Sequence, residues 1–189
     1  MTERFTVPSP KRRTSVESFT KLFPYYAGFP ESFVRAVLGS DAIEPGSLIY
    51  DPWNGSGTTT AVASEMGLPS IGIDINPIMV IVAKARLLAR SELSSLKPLA
   101  SAVLEQARET AIDRSASDPL SVWFMPMTAG ILRSVERSIC KLLVHQQSGW
   151  TVNAMSGMAA TLYVALFSSY REHTQAFRGS NPTWLKAPK

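Results

Sequence analysis

The stretch Asp51-Pro52-Trp53-Asn54-Gly55-Ser56-Gly57-Thr58-Thr59 constrains the fold of this 189-residue chain more than any other segment. Two glycines stand one residue apart, directly after the short apolar run Ser47-Leu48-Ile49-Tyr50 and directly before a helix-forming run, Thr58 to Met66. Lacking Cβ atoms, they let backbone approach a ligand closely and take up φ, ψ values that other residues avoid. The first N–H groups of the helix that follows have no partner within it and carry the positive end of its dipole, so a carboxylate or phosphate suits the position.

The flanking pattern sets this loop in an α/β fold. A helix is expected from near Pro30, with Phe33, Val34, Val37 and Leu38 at helical spacing and Gly39 to close it. Glu44-Pro45-Gly46 signals a turn, and Ser47 to Tyr50 then reads as a strand. Helix Thr58–Met66 ends at Gly67, and Ser70-Ile71-Gly72-Ile73-Asp74 reads as a second strand. Pro77 suits the first turn of a helix continuing through Ile78 to Ala89. Strand, helix, strand, helix within about 40 residues is a βαβ unit, which implies a partial parallel sheet. From Leu93 the pattern turns helical: Leu96 to Ile112, Thr128 to His145 and Thr151 to His173, broken at Asp118-Pro119 and Ser148-Gly149, with no third strand legible. The expected organisation is an arm over 1–18, a ligand-binding core over 19–92, a helical segment over 93–175 and a loop-like tail over 176–189.

Two ligand classes are excluded by the loop itself. A P-loop needs Gly-Lys-Ser/Thr at its end, whereas Thr58 follows Gly57 and the next lysine is Lys84. A dinucleotide fingerprint needs a third glycine where Thr60 stands. Asp51 closes the first strand and Asp74 the second, 23 positions later. A carboxylate at the second strand's tip can accept both hydroxyls of a ribose; the competing reading of Asp74 is a turn or capping aspartate before Pro77.

In this context the loop resembles motif I of bacterial DNA amino-methyltransferases, which commonly read Asp-Pro-Phe-x-Gly-Ser-Gly-Thr-Thr. Gly72-Ile73-Asp74-Ile75-Asn76-Pro77 resembles the segment after that family's second strand, and Phe23-Pro24-Tyr25-Tyr26-Ala27-Gly28-Phe29-Pro30 resembles its motif X. The resemblance covers residues 20–90 in the family's order. It implies a Rossmann-like methyltransferase fold binding S-adenosylmethionine (AdoMet). Within it, Asp51, Pro52, Trp53, Asn54, Gly55, Ser56, Gly57, Thr58 and Thr59 would form the loop, with Asp51 and the Gly55–Gly57 backbone facing the methionine moiety. Asp74 would face the ribose, with Ile75 and then Asn76 on the adenine flank. Phe23, Tyr25 and Phe29 would line the cofactor from the motif X side, with core packing as the alternative for these three.

The family's catalytic loop, Asp/Asn/Ser-Pro-Pro-aromatic, accepts hydrogen bonds from the target amine and stacks on the flipped base. No such tetrapeptide occurs here. Asn181-Pro182-Thr183-Trp184 is the nearest string, which makes Asn181 and Trp184 weak candidates for an amide acceptor and a stacking platform. The expectation favoured over them is that the catalytic half lies elsewhere, on a partner chain or further along a longer protein. The resemblance thus implies the AdoMet-binding part of a DNA adenine-N6 or cytosine-N4 methyltransferase, in a restriction–modification or phage-defence setting. The alternative is a non-catalytic AdoMet-binding module acting through a protein or nucleic-acid partner.

Composition adds bounds. An apolar share of 45% and a charged share of 18% describe a folded domain. A net charge of +4 agrees with DNA as a partner, and Lys11-Arg12-Arg13 reads foremost as a solvated arm. No apolar run nears the roughly 20 residues that span a bilayer, and the N-terminus lacks a secretory pattern, so a cytoplasmic protein is expected. One cysteine and two histidines leave no basis for a metal site. A half-sheet would leave an unpaired edge, from which a homodimer or heteromer is expected. Met125, Met127, Met155 and Met158 are expected to fill core gaps, Cys140 to be buried, Trp123-Phe124 to anchor helix to sheet, and Arg133, Arg137 and Lys141 to form a solvated basic stripe.

Overall fold

A computed structural model describes Pro10 and residues 28–113, 117–144 and 152–174. The arm (except Pro10), Phe23, Tyr25, His145, Asn181 and Trp184 lie outside the described residues. Helix α1 (Glu31–Leu38) starts after extended Pro30, with Glu31 in its first turn, where a carboxylate meets the positive dipole end. Its apolar stripe buries Val34 and Leu38 against Val62 and Ala63, with Phe33, Ile49, Met66 and Leu68 around them.

Strands β1 (Ile49–Asp51) and β2 (Ser70–Gly72) pair in parallel, Tyr50 opposite Ile71 and Asp51 opposite Gly72. Helix α2 (Thr58–Glu65) is the crossover between them. It ends in a paired-bond C-cap: Gly67 at φ 71° donates to Ser64, and Leu68 donates to Ala63 at 2.9 Å. That arrangement needs a left-handed residue at this place, which is why glycine stands there. Helix α3 (Pro77–Arg86) follows β2, with Asn76 as N-cap accepting from Ile78 N and proline at the first position.

Three long helices complete the described chain: α4 (Leu93–Glu109), α5 (Pro126–Leu143) and α6 (Gly157–His173). The main core joins Met79, Ile81, Val82 and Ala85 of α3 to Val103, Leu132 and Ile139, and to Ala159, Ala160, Tyr163 and Val164 of α6. α3 therefore touches α2 on one side and α6 on the other, coupling the sheet to the helices. Lys84 seals the junction by donating to the carbonyls of Asn153 and Met155, both at 2.9 Å. Two buried serines of α5, Ser134 and Ser138, satisfy their hydroxyls on the preceding turn, at Ile131 O and Ser134 O. Gly130 has no room for a side chain, since a Cβ would stand 2.2 Å from the Asp113 carbonyl.

The fold is α/β, mostly helical, with a small parallel sheet of two strands among the described residues. Several boundaries differ from expectation. β1 runs from Ile49 to Asp51, two residues later at its start and one at its end, and β2 stops at Gly72 because Asp74 is drawn into a turn by Asn76 N. α3 ends at Arg86, short of Ala89, and a single 3-10 turn spans Arg90–Glu92. α6 begins at Gly157, short of the Thr151 start, because Val152–Ala154 form a turn and Met155 bridges Val144.

Side-chain expectations are corrected too. Met155 is buried, but Met125 and Met127 are exposed near the start of α5. Phe124 packs on Tyr170 of α6, at 6.1 Å between ring centres, and joins the helical core, leaving the sheet untouched. Cys140 is half-buried with its Sγ 2.9 Å from Tyr163 Oη, and burial pushes the Tyr163 hydroxyl well above its ordinary range. The basic stripe of α5 is solvated at Arg137 and Lys141, which are exposed while reaching Asp113 and, on α4, Gln106; only half-buried Arg133 is held in the fold, by Asp118 and Glu136. Among the described residues, no helix is long and apolar enough to cross a membrane, and no group of three or more His, Cys, Asp or Glu could hold a metal ion.

Candidate functional site

β1 delivers Asp51 to the carboxyl end of the sheet, where the chain leaves into the glycine loop. Asp51 Oδ1 accepts from Trp53 N at 3.0 Å, an Asx turn that bends the backbone across the tip of β2. Asn54 N then donates to Ile73 O at 3.0 Å, and Gly57 N returns to Asn54 O at 2.8 Å. Gly55 and Gly57 lie at φ 52° and 81°, in the left-handed region that glycine enters without strain. Gly57 is also pressed against α3: a Cβ there would stand 2.7 Å from Ala83 Cβ.

Asp74 meets this loop from the second strand. Its Oδ2 accepts from Gly55 N at 2.8 Å, and its Oδ1 accepts from Asn76 N, also at 2.8 Å. The turn reading of Asp74 is therefore realised, while the helix cap itself is Asn76. Each carboxylate oxygen has capacity for a second bond, so hydroxyl donors can still be accommodated. The loop, the start of α2 and the Asp74 carboxylate converge at one end of a parallel sheet. This donor and acceptor set fits a nucleoside carrying an anionic tail: hydroxyls for the carboxylate, unpaired N–H groups for the anion.

The other expected residues sort by exposure. Gly55, Ser56, Gly57 and Thr58 are buried, Asn54 and Thr59 half-buried, and Pro52 and Asn76 exposed. Trp53 and Ile75 are 74% and 85% exposed, large apolar surfaces flanking the loop and the carboxylate. Phe29 packs on Phe33 of α1 with ring centres 5.6 Å apart and is 38% exposed.

Sequence reasoning missed the braces behind the loop. Asn54 lays its amide over Gly72, where a Cβ would come within 2.3 Å of Nδ2, and its Oδ1 accepts from Thr60 Oγ1 at 3.2 Å. A glycine inside a strand marks such a close approach, so Gly72 was the available signal. Arg86 is the second: its guanidinium pairs with Glu31 and donates to Thr58 Oγ1 at 3.2 Å, with only 4% of the side chain exposed. An arginine in an apolar helix such as Ile81-Val82-Ala83-Lys84-Ala85-Arg86 is seldom so buried without a partner.

Residues 5–85 match the family model described as DNA methylase. Curated relatives include the type II methyltransferase M.MjaII of Methanocaldococcus jannaschii, 33% identical over 105 residues, or 56% of this chain and 19% of that protein. M.SmaI of Serratia marcescens is 35% identical over 81 residues, 42% of this chain and 27% of its own length. M.BsoBI of Geobacillus stearothermophilus is 43% identical over 54 residues, 29% of this chain and 11% of its own length. The chain thus spans between 11% and 27% of the length of these relatives. No solved structure matches it significantly. With a glycine loop and strand-tip carboxylate joined in space, and the family match running through both, this segment is similar to DNA methylases.

Proposed function

We propose that this chain is the AdoMet-binding part of a DNA adenine-N6 or cytosine-N4 methyltransferase, acting on an exocyclic base amine once completed by a catalytic half. The observation that carries the reading is the contact between Gly55 N and Asp74 Oδ2, which unites the two cofactor-facing elements of a Rossmann-like site. When bound, AdoMet supplies an electrophilic methyl group on a sulfonium. The chain's own part is to hold and orient. N–H groups at the start of α2 receive the methionine carboxylate, the free lone pairs of Asp74 receive the ribose hydroxyls, and Ile75 offers an apolar flank to the adenine. Because Gly55 already fixes the Asp74 carboxylate, little ordering remains to be done on binding.

The exposed sheet face supports completion by more polypeptide. Leu48, Tyr50, Ile71 and Ile73 alternate onto one side of β1 and β2 and are between 47% and 59% exposed. A two-stranded sheet with one uncovered apolar face is a poor end point for folding. Asn181 and Trp184 remain the weak internal candidates for the catalytic loop.

Calorimetric titration with AdoMet tests the pocket. The unmodified chain is expected to bind, and Asp74→Ala to lose about 10- to 100-fold in affinity, as removal of bonds to a charged acceptor does. Gly55→Val should abolish binding by placing a β-branched side chain at positive φ. Transfer of a labelled methyl group to DNA is then measured with and without a chain bearing a Ser/Asp/Asn-Pro-Pro-Tyr motif. Transfer only in its presence supports the completed enzyme. AdoMet binding with no transfer in either case favours the non-catalytic module. If Asn181→Ala and Trp184→Ala leave transfer unchanged in an active preparation, the internal loop has no part in it.

A further inference from the structure

Trp53 is placed by a one-residue bulge at the end of β1. In the parallel ladder Ile49 N donates to Pro69 O and Ile73 N donates to Asp51 O, both at 2.9 Å. The next donor to Ile73 O in an unbroken ladder is residue 53. Asn54 N makes that bond instead, at 3.0 Å, while Trp53 N turns to Asp51 Oδ1. Asn54 thereby takes the place on the α2 side, its amide over Gly72, and the Trp53 side chain is turned out to 74% exposure. Bulges re-aim side chains in this way at the rims of sheets. The bond to Asp51 fixes the backbone beneath the indole, so the ring is presented from a rigid support.

The bulge has a defined place on the rim of the pocket. Asp74 meets the loop at Gly55, beyond Asn54, so Trp53 lies on the β1 side of that carboxylate and Ile75 on the β2 side. With a nucleoside at Asp74 and its anionic tail at the start of α2, the sulfonium between them lies over Gly55, two residues along from Trp53. The acceptor of the methyl group must reach that sulfonium from outside the loop, where the indole stands. A base drawn out of its helix has lost its stacking partners, and an indole replaces one of them whatever the base. We propose that Trp53 is the stacking platform for one face of the acceptor base, a substrate-binding residue carried by the cofactor loop itself. This rests on the AdoMet reading of the pocket and on DNA as the substrate.

The experiment titrates the full chain with S-adenosylhomocysteine by calorimetry, and with two single strands by fluorescence anisotropy: a short oligodeoxyadenylate, and an abasic strand of equal length and charge. The abasic strand sets the electrostatic background. The unmodified chain is expected to prefer the base-bearing strand, and Trp53→Ala to lose about tenfold on that strand. It should lose nothing on the abasic strand, and less for S-adenosylhomocysteine than for the oligodeoxyadenylate. Trp53→Phe should keep most of the preference. The oligodeoxyadenylate should also quench part of the emission of the four tryptophans, a part that Trp53→Phe lacks. Should Trp53→Ala fail to fold by circular dichroism, that quenching and the Trp53→Phe preference decide. Equal losses on both strands, or a loss for S-adenosylhomocysteine as large as for the oligodeoxyadenylate, overturn the platform while the pocket stands. So does S-adenosylhomocysteine binding with no preference between the strands. No S-adenosylhomocysteine binding by the unmodified, folded chain overturns the AdoMet reading and the platform with it.

Discussion

At the scale of single residues, two glycines at positive φ separate local strain from crowding. Gly67 at φ 71° has nothing within 4 Å of an added Cβ, whereas Gly57 at φ 81° would drive one into Ala83 at 2.7 Å. Gly67→Ala should therefore cost about 1 kcal/mol, the left-handed penalty alone. Gly57→Ala adds overpacking and should cost about 2–4 kcal/mol, with weakened AdoMet binding that Gly67→Ala does not share. Urea denaturation of both variants is the check, and equal costs would mean that α3 yields to the intruding methyl. Gly57 was legible in the sequence because its strand–glycine–helix context is local. The Asn54–Gly72 and Arg86–Thr58 braces were not, because each joins elements whose approach no local pattern encodes. Asp74 fell between: its place at a strand tip was readable, but not that one oxygen would serve the turn and the other the loop.

At the scale of elements, the helices and the sheet should respond differently to similar damage. Val62 of α2 is fully buried between α1 and the sheet, while Ile71 of β2 is 48% exposed on the sheet's open face. Val62→Ala should cost about 2 kcal/mol in the chain alone, and Ile71→Ser under about 1 kcal/mol. If a completing polypeptide covers that face, Ile71→Ser should instead weaken its assembly, measured by analytical ultracentrifugation of the mixture. α5 is tied to the turn before it through polar groups as well. The Arg133 guanidinium beside Asp118 holds that carboxyl below its usual range. A depressed folded value means that the pair's stability, about 1 kcal/mol, is present above the unfolded value near pH 4 and lost as pH falls through the lower folded one. Asp118→Asn should thus lower the melting temperature at pH 7, and the gap to the unmodified chain should close below about pH 4; a gap independent of pH would assign it to lost packing. Helix existence was legible from apolar spacing for α1 to α6, and the βαβ order from turn and glycine signals. The ends were not, since Asx and 3-10 turns at Asp74, Arg90 and Val152 compete with the regular elements by single hydrogen bonds. The solvated stripe was legible for Arg137 and Lys141, which are exposed, but not the ion pairs of half-buried Arg133, because helical spacing shows that charges share a face without showing what that face meets.

At the scale of the whole molecule, the described chain has its weight on one side. The larger core lies among α3, α4, α5 and α6, and the sheet end depends on the smaller cluster of Val34, Leu38, Val62 and Ala63. The resemblance to DNA methylases was legible because a glycine loop and a strand-tip carboxylate are read from a few positions. What lies against the sheet's open face was not, because the alternation of Leu48, Tyr50, Ile71 and Ile73 marks an apolar face without naming what covers it. Native-state hydrogen exchange turns this asymmetry into a prediction. In the chain alone, interior amides of α5 and α6 should exchange only through global opening, and those of β1, β2 and the glycine loop through smaller openings of lower free energy. S-adenosylhomocysteine at about 100 times its dissociation constant should add up to about 2.7 kcal/mol to openings that release it. The amides of Gly55, Gly57 and Ile73, whose bonds to Asp74, Asn54 and Asp51 build the loop, should slow most. Addition of a completing chain should then raise β1 and β2 towards the level of α6. If those strands are already as protected as α6 in the chain alone, the sheet needs no further cover, and completion loses its physical basis; the pocket would then belong to a self-sufficient binding module.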